Sequence, residues 1–433
     1  MKRREFIRTG SVLTSAAALA SSSVGSVFAA GSDEIKIALI GCGERGTGAA
    51  FQAIESGQNV KLVAMADAFR DRVDGAYELA KEKFGNKADV PESRKYVGFE
   101  GYKAATRDAD VVLLCAPPGF RPAHFAYAVE QGKHVFMEKP LAVDVPGVRS
   151  VLESAKVAKR KKLNVVVGLQ RHYQTVYREL MKRIHGGAIG DIVSGQVYWN
   201  TGGIWKKERQ PGWTEMEYQV RNWNYFNWLS GDHIVEQHIH NIDVANWVKQ
   251  KFPVSVQGTG SRAYRHGPEH GEIYDNFSVE LTYDDGAVIY SQCRQIPGIF
   301  NRVDETFQGT KGRTSMTWDR GLLWDAKGKQ IYKHDFKGDK NPYQQEHDEL
   351  FAAIAKGEYK FEDAERSAYS MLTGIMGRAA CYTGKIITWD EAMKSNVNLQ
   401  PDRLAFDALP KVLPGPDGNY PSAVPGINPE RYI

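Results

Sequence analysis

The sequence is poor in cysteine, with Cys42, Cys115, Cys293 and Cys381 the only thiols in 433 residues. Their separations fit no zinc-ligand spacing, and so few in so long a chain exclude a disulfide-built scaffold. An excess of one charge is also missing. The 56 Lys+Arg and 52 Asp+Glu leave a formal charge of +4, and no block of like charges forms a tail, so there is no electrostatic footprint for nucleic acid. Beyond residue 30 no run of about 18 apolar residues occurs, so no membrane-spanning helix is expected there, and no repeat has solenoid spacing. What is present is a globular composition, 42% hydrophobic and 25% charged, in a chain long enough for two or three domains.

Residues 1–29 have the layout of a signal peptide. Lys2, Arg3 and Arg4 precede a mildly apolar stretch at 11–20 and small residues ending at Val27-Phe28-Ala29, which suits cleavage after Ala29. Arg3-Arg4 followed by Glu5-Phe6-Ile7 resembles the twin-arginine export signal. The competing reading is a retained amphipathic helix, which Ser21, Ser22 and Ser23 would interrupt. Twin-arginine export implies a periplasmic protein that folds, often around a cofactor, before export, and that keeps no stable membrane anchor after cleavage. Cleavage would leave 52 basic and 51 acidic residues, so the apparent basicity belongs mostly to the signal.

From residue 35 short β-rich runs alternate with helical stretches. Runs at 35–40, 60–66, 110–115, 134–137 and 164–168 are separated by segments such as 122–131 and 146–162, whose apolar residues recur three and four apart. This alternation predicts an α/β fold that begins with a doubly wound parallel sheet over 30–168. Helical stretches at 176–184 and 238–248 are followed by alternating segments at 276–283 and 287–292. These are joined by Tyr283-Asp284-Asp285-Gly286, a hairpin signature. A second, α+β domain over 169–400 with a mostly antiparallel sheet is predicted, with late helices at 343–355 and 364–382. Residues 401–433 contain Pro410, Pro414, Pro416, Pro421, Pro425 and Pro429 and read as an extended Pro-rich arm.

Gly41-Cys42-Gly43-Glu44-Arg45-Gly46 directly follows the first run and opens a helical stretch, the context that GxGxxG requires. The glycines permit a tight turn and close backbone approach, so a pyrophosphate can sit on the helix N-terminus. The second run ends at Asp67, 21 residues past Gly46, near the spacing at which a carboxylate binds the adenosine ribose. A carboxylate there repels a 2′-phosphate and favours NAD, while Arg70 leaves NADP open. Without a ligand the same glycines would only turn a loop.

At Cys115-Ala116-Pro117-Pro118, His124, Gly132-Lys133-His134-Val135 and Glu138-Lys139-Pro140 the chain resembles the Gfo/Idh/MocA oxidoreductases, which include glucose-fructose oxidoreductase and the inositol dehydrogenases. The resemblance continues through Gly168-Leu169-Gln170-Arg171-His172-Tyr173, Gly187-Ala188-Ile189-Gly190 and Gly309-Thr310-Lys311-Gly312. It implies a Rossmann domain joined to an α/β domain whose open sheet often supports homo-oligomers. It also adds Ala116, Pro117, His124, Glu138 and Lys139 to the cofactor site.

Oxidation of a sugar hydroxyl requires a hydride acceptor at carbon and a base for the oxygen proton. Lys139 fits the second role, because like charge and desolvation beside an oxidised nicotinamide favour its neutral amine. Without the family motif it would read as a surface lysine before a proline turn. The family often shows Asp-x-Gly-x-His-x-x-Asp, and this chain has Glu236-Gln237-His238-Ile239-His240-Asn241-Ile242-Asp243. His240 is read as the acid/base partner and Asp243 as a substrate-hydroxyl ligand, three apart on one helix face. Glu236 and His238 replace the frequent Asp and Gly and are placed at the substrate. Arg171 and Tyr173 are candidates for sugar hydroxyls or, equally, for structure. Five tryptophans, Trp199, Trp205, Trp213, Trp223 and Trp228, suit a pyranose face, though some must be core. A metal at His233, Glu236, His238 and His240 lacks the zincin spacing.

Three functions follow. The first is a periplasmic oxidoreductase moving hydride between a ring carbon of a sugar, glycoside or cyclitol and tightly bound NAD, with a keto-sugar as reoxidant. The second is a redox-neutral glycosidase acting through C3 oxidation and elimination, with Glu236 and His238 as extra acid/base groups. The third is a sugar sensor on an inactive dehydrogenase fold, which the presence of Lys139, His240 and Asp243 argues against.

Overall fold

The computed structural model describes residues 34–433. The export signal expected over 1–29 lies outside the described residues.

Apolar runs that are too continuous for a half-exposed strand form the first sheet. Its strands are β1 (Ile35–Ile40), β2 (Val60–Asp67), β3 (Lys95–Val97), β4 (Val111–Leu114), β5 (His134–Met137) and β6 (Val165–Val167), all parallel and ordered β3-β2-β1-β4-β5-β6. Every residue of β4 and β6 is buried, as expected when helices cover both faces. Those helices are α1 (Glu44–Ile54), α2 (Arg70–Phe84), α3 (Gly101–Arg107), α4 (Arg121–Glu130) and α5 (Val145–Arg160). The strand order reverses between β1 and β4, which opens a crevice at their carboxyl ends.

After α6 (Thr175–His185) the chain enters a nine-stranded sheet through β7 (Ile192–Thr201). Short helices α7 (Glu215–Arg221), α8 (Asn227–Ser230) and α9 (His233–Glu236) lead to α10 (Ile239–Lys249). The sheet is completed by β8 (Ser255–Ser261), β9 (Asn276–Thr282), β10 (Val288–Gln295), β11 (Arg302–Gly309), β12 (Gly312–Met316), β13 (Arg320–Asp325) and β14 (Gln330–Asp335). After α11 (Pro342–Ala355) and α12 (Asp363–Thr383), β15 (Ile387–Thr388) joins its edge and α13 (Trp389–Lys394) follows. Only the β7–β10 pairing is parallel, the rest antiparallel. The β9–β10 hairpin closes through Tyr283 N–H to Ala287 O at 2.9 Å, with Gly286 at φ +82°.

Alternation along the strands divides the second sheet into two faces. Val197, Ile289, Phe277 and Phe307 are buried on one, against the helices. The other is polar and laced by side-chain bonds such as Asn200 to Gln292 and Thr306 to Gln196. The sequence reading assigns no strands between 302 and 335, because Phe307, Met316 and Leu323 are too widely spaced to show a period. α12 is buried on nearly every side and packs against α5, β6, α10 and β8. One core therefore runs continuously from the first sheet to the second.

A second core forms where Phe69 and Phe120, beside the crevice, meet Met216, Phe226 and Trp228 of the 202–231 segment. Residues 399–412 complete it through Leu399, Leu404, Phe406 and Val412. Phe406 lies with ring centroids 5.5 Å from Phe69 and 4.8 Å from Phe99. The arm is tied down by Leu399 N–H to Asp144 Oδ2 at 2.9 Å, on the carboxylate that also caps α5. Gln219 Nε2 donates to Val412 O at 2.8 Å. From 401 onward the chain has no strand or α-helix, only a single 3-10 turn at Pro429–Arg431. No described helix is long and apolar enough to cross a membrane.

The 202–231 segment is anchored by a buried acid. Glu272 Oε1 accepts from Asn227 N–H at 3.0 Å, and burial, reinforced by Asp232, pushes its carboxyl up to about 7. An acid raised on folding contributes most stability below its unfolded pKa, and that contribution is lost as pH rises toward the folded value. Glu272→Gln should therefore gain on the parent as pH rises from about 4.5 to about 7, by roughly 1.4 kcal/mol per unit. Urea midpoints of both proteins across that window measure the difference, and a constant offset would contradict the assignment.

Candidate functional site

The crevice begins at the turn after β1. Gly41 has φ +94°, and a Cβ there would lie 2.2 Å from Ala116 N. At Gly46 it would lie 1.9 Å from Gly41 O, whereas at Gly43 it would meet nothing within 4 Å. Two glycines thus let turn, helix and β4 close up, and the third leaves the helix N-terminus open to a ligand. No side chain caps α1 at Gly43, so its first N–H groups are free for an anion. Gly41, Gly43, Glu44, Arg45, Gly46, Asp67, Ala116, Pro117 and His124 all line a cleft of about 710 Å³.

Asp67 is fixed at the end of β2. Its Oδ2 accepts from Cys42 N–H at 2.7 Å and its Oδ1 from Phe69 N–H at 3.0 Å, and burial raises its pKa. Cys42 contributes this backbone donor; its thiol is buried against Ala66 O and pushed up by burial and Asp67. An anion-ready helix end and an acid at the ribose spacing fit a dinucleotide. Arg70 does not serve it. It stands on the surface, paired with Glu92 at 2.6 Å and Asp74 at 3.6 Å. Arg72, two positions further round α2, lines the cleft with Lys207 and Arg221; the helical phase that decides between the two arginines is not visible from their spacing to Asp67. Trp205 and Trp223 line it too, whereas Trp228 is core and Trp213 packs on the second core.

Glu138 and Lys139 follow β5. Lys139 Nζ donates to the Glu236 carbonyl at 2.5 Å and to its Oε1 at 2.8 Å. Glu138 Oε1 accepts from Arg45 Nε at 2.5 Å. His240, in the first turn of α10, is buried, with its ring 5.7 Å from that of Trp199. Burial first, then the Lys139 and Arg171 charges, hold its imidazole neutral well below the usual range, and Nδ1 has no partner. The site thus gathers Lys139, Glu236 and His240.

The other predicted ligands have structural partners. Asp243 accepts from Ser370 Oγ at 2.8 Å and lies 2.6 Å from His172 Nε2; it is buried and joins α10 to α12 and to the 170–173 turn, with a structural partner on each oxygen. Arg171 forms a buried ion pair with Glu305, which also accepts from Tyr177 at 2.8 Å and Asn241 at 2.5 Å. Tyr173 donates to Asp363 Oδ2 at 2.7 Å. His238 bonds Ser291 at 2.7 Å under the second sheet, and burial lowers its pKa to about 3. His233 is held by Asp232 at 2.9 Å, so the four side chains weighed as metal ligands do not converge, and among the described residues no group of three or more such side chains is placed to hold a metal. With Glu236 on Lys139 and His238 on Ser291, neither is the spare acid/base group that the elimination route needs. Ser370, Glu305 and Asp363 escape sequence reading because nothing local marks them.

Arg171→Ala should leave Glu305 buried and unpaired, costing about 3–5 kcal/mol. Urea unfolding checks this. A large rise in substrate KM with unchanged stability would return Arg171 to the substrate.

Two family models match this chain in order. One is described as the oxidoreductase family, NAD-binding Rossmann fold, over residues 35–169, and the other as the GFO/IDH/MocA C-terminal domain, over residues 177–315. The inositol 2-dehydrogenase of Rhizobium meliloti (strain 1021) is 26% identical over 334 residues, covering 75% of this chain and 89% of that protein. Among solved structures, a levoglucosan dehydrogenase in complex with NADH and levoglucosan gives a TM-score of 0.64 at 16% identity, covering 82% of this chain and 99% of that one. The aldose-aldose oxidoreductase from Caulobacter crescentus, complexed with glycerol, gives 0.63 at 18%, with the same coverage. At those identities the two structures speak for the fold, and the family rests on the sequence matches. The chain belongs to the Gfo/Idh/MocA oxidoreductases, with their NAD-binding Rossmann domain.

Proposed function

We propose that the enzyme oxidises a ring carbon of a sugar, glycoside or cyclitol while holding NAD tightly, and that it works in the periplasm after twin-arginine export. The observation that carries this reading is Lys139, held by Glu236 at 2.8 Å directly after Glu138, whose partner Arg45 lines the dinucleotide cleft. When bound, the nicotinamide supplies the hydride acceptor. Lys139 passes a proton to Glu236 Oε1 and takes the hydroxyl proton in its place as hydride leaves the same carbon. Neutral His240 offers one N–H and one acceptor nitrogen, so it orients the hydroxyl without adding positive charge beside an oxidised ring. The stacked Trp199 restricts the imidazole.

The substrate class follows from what the relatives' names share. Inositol, levoglucosan and aldoses all present ring carbons with neighbouring hydroxyls. Retention of the cofactor is supported by the second core, because Phe69, Phe99 and Phe120 line the cleft on one side and are covered by the 399–412 segment on the other. A cofactor kept through export would need reoxidation in place, for which a second keto-sugar suffices. The polar open face of the second sheet is where a second copy would pack in a homo-oligomer.

Incubation with a panel of sugars and cyclitols should give products two daltons lighter, read by mass spectrometry; turnover of none would contradict the proposal. Lys139→Met should lower kcat by about 10²–10⁴-fold while still binding NAD, and undiminished turnover would remove Lys139 from the chemistry. Purified parent should keep nicotinamide through dialysis, and Phe406→Ala should lose it about tenfold faster. A parent that emerges empty would contradict tight retention.

A further inference from the structure

Glu346, on α11, is fully buried, and neither of its carboxylate oxygens has a hydrogen-bond partner. Its nearest cation is Arg45, with Nη2 3.6 Å from Oε1, and that nitrogen is also buried without a partner. Arg45 is already engaged elsewhere. Its Nε donates to Glu138 Oε1 at 2.5 Å and its Nη1 to Gln52 Oε1 at 2.9 Å, and its guanidinium lies 5.1 Å from the centre of the Tyr343 ring. Glu138 is fixed in turn, since a Cβ on Gly168 would lie 2.8 Å from its carboxylate. One cation is therefore shared by two carboxyl groups, beside the glycine-rich turn and next to the residue before Lys139.

The cluster has two charge states. With Glu346 protonated, Arg45 and Glu138 balance; with Glu346 ionised, the cluster carries one negative charge. In the proposed function the reacting nicotinamide lies beside Lys139, because both act on one carbon, and its charge differs by one between oxidised and reduced forms. We propose that Glu346 is a redox-linked proton site, ionised when the bound nicotinamide is oxidised and protonated when it is reduced, acting through Arg45. Glu346 touches neither substrate nor cofactor in this scheme and is a positioning residue for charge.

The balance closes without a further reactant. On oxidation of the alcohol, the C–H bond breaks and its electron pair and hydrogen pass as hydride to the ring. The O–H bond breaks and its proton leaves through Lys139 and Glu236. A carbonyl forms, and one proton is taken up at Glu346. Reduction of a keto-sugar reverses each change, so the full cycle exchanges no net proton with solvent.

The surroundings suit a group that changes charge. Besides Arg45 and Glu138, Glu346 faces Cys115 at the end of β4, Tyr173 in the 170–173 turn, Asp363 at the start of α12, and Tyr343 and His347 on its own helix. Cys115, raised to about 12, and Tyr173, pushed well above the usual phenol range by burial, stay neutral, and burial keeps His347 uncharged. Asp363 is neutralised by Arg366 at 2.9 Å. Burial and Glu138 hold the Glu346 carboxyl well above the usual range, against the opposing pull of Arg45.

The inference rests on the proposed placement of the nicotinamide beside Lys139, and its test does not depend on turnover. Dissociation constants of NAD+ and NADH are measured by fluorescence titration on the full chain, stripped of any cofactor, between about pH 6 and 9. By linkage the ratio Kd(NADH)/Kd(NAD+) should rise with pH, by up to about tenfold per unit for one proton. Glu346→Gln should flatten that rise, and Glu346→Asp, which keeps a carboxyl, should retain part of it. A ratio independent of pH in the parent, or an unchanged slope in Glu346→Gln, overturns the proposal. Should the glutamine variant fail to fold, the parent and the aspartate variant still decide. Failure of the functional reading shows separately, as no turnover of any ring alcohol.

Discussion

The contact on which the site depends is the pair of hydrogen bonds from Lys139 Nζ to Glu236, one to the side chain and one to the backbone carbonyl. Lys139 is fixed to the first sheet by β5, and Glu236 closes α9 just before α10 begins. The bond joins two stretches of chain 97 residues apart, so hydride acceptor and proton acceptor can serve one carbon only if both halves keep their packing. A lysine held in this way is oriented before substrate arrives, which is where much of a proton-transfer catalyst's advantage arises.

That packing is maintained by buried polar groups as much as by apolar ones. Glu305 collects Arg171, Tyr177 and Asn241; Asp243 collects His172 and Ser370; Asp363 collects Tyr173 and Arg366. Each set joins elements far apart in sequence, and each would be costly to leave half-satisfied. Much of the bracing comes from α11 and α12, which follow the second matched family region. The 202–231 segment and the C-terminal arm add a further layer over the Asp67 side of the cleft.

The parallel sheet was legible because its strands are short, continuous apolar runs separated by helical periodicity, and Gly41, Gly43, Gly46 and Asp67 declared themselves by spacing. Lys139 and His240 were marked by motif and resemblance; Glu236, read as a substrate group, is instead the partner of Lys139. Asp243, Arg171, Tyr173 and His238 have the right chemistry for a sugar site. Their partners, however, lie 53 to 190 residues away, on elements whose register no local pattern reveals. Arg70 and Arg72 differ only in helical phase. β3 is three residues long, and β11 to β14 have too few buried positions to show a period. What sequence conveys well is local geometry and spacing; what it withholds here is which polar groups are already satisfied by distant ones.

A dehydrogenase working through Lys139 would pass hydride directly between a ring carbon and nicotinamide. The most direct measurement uses a substrate deuterated at the reacting carbon, followed by mass analysis of the nicotinamide recovered from the protein. Direct transfer predicts NADH about one dalton heavier than normal. Product formation with unlabelled NADH, or with no reduced nicotinamide at any stage, would contradict it.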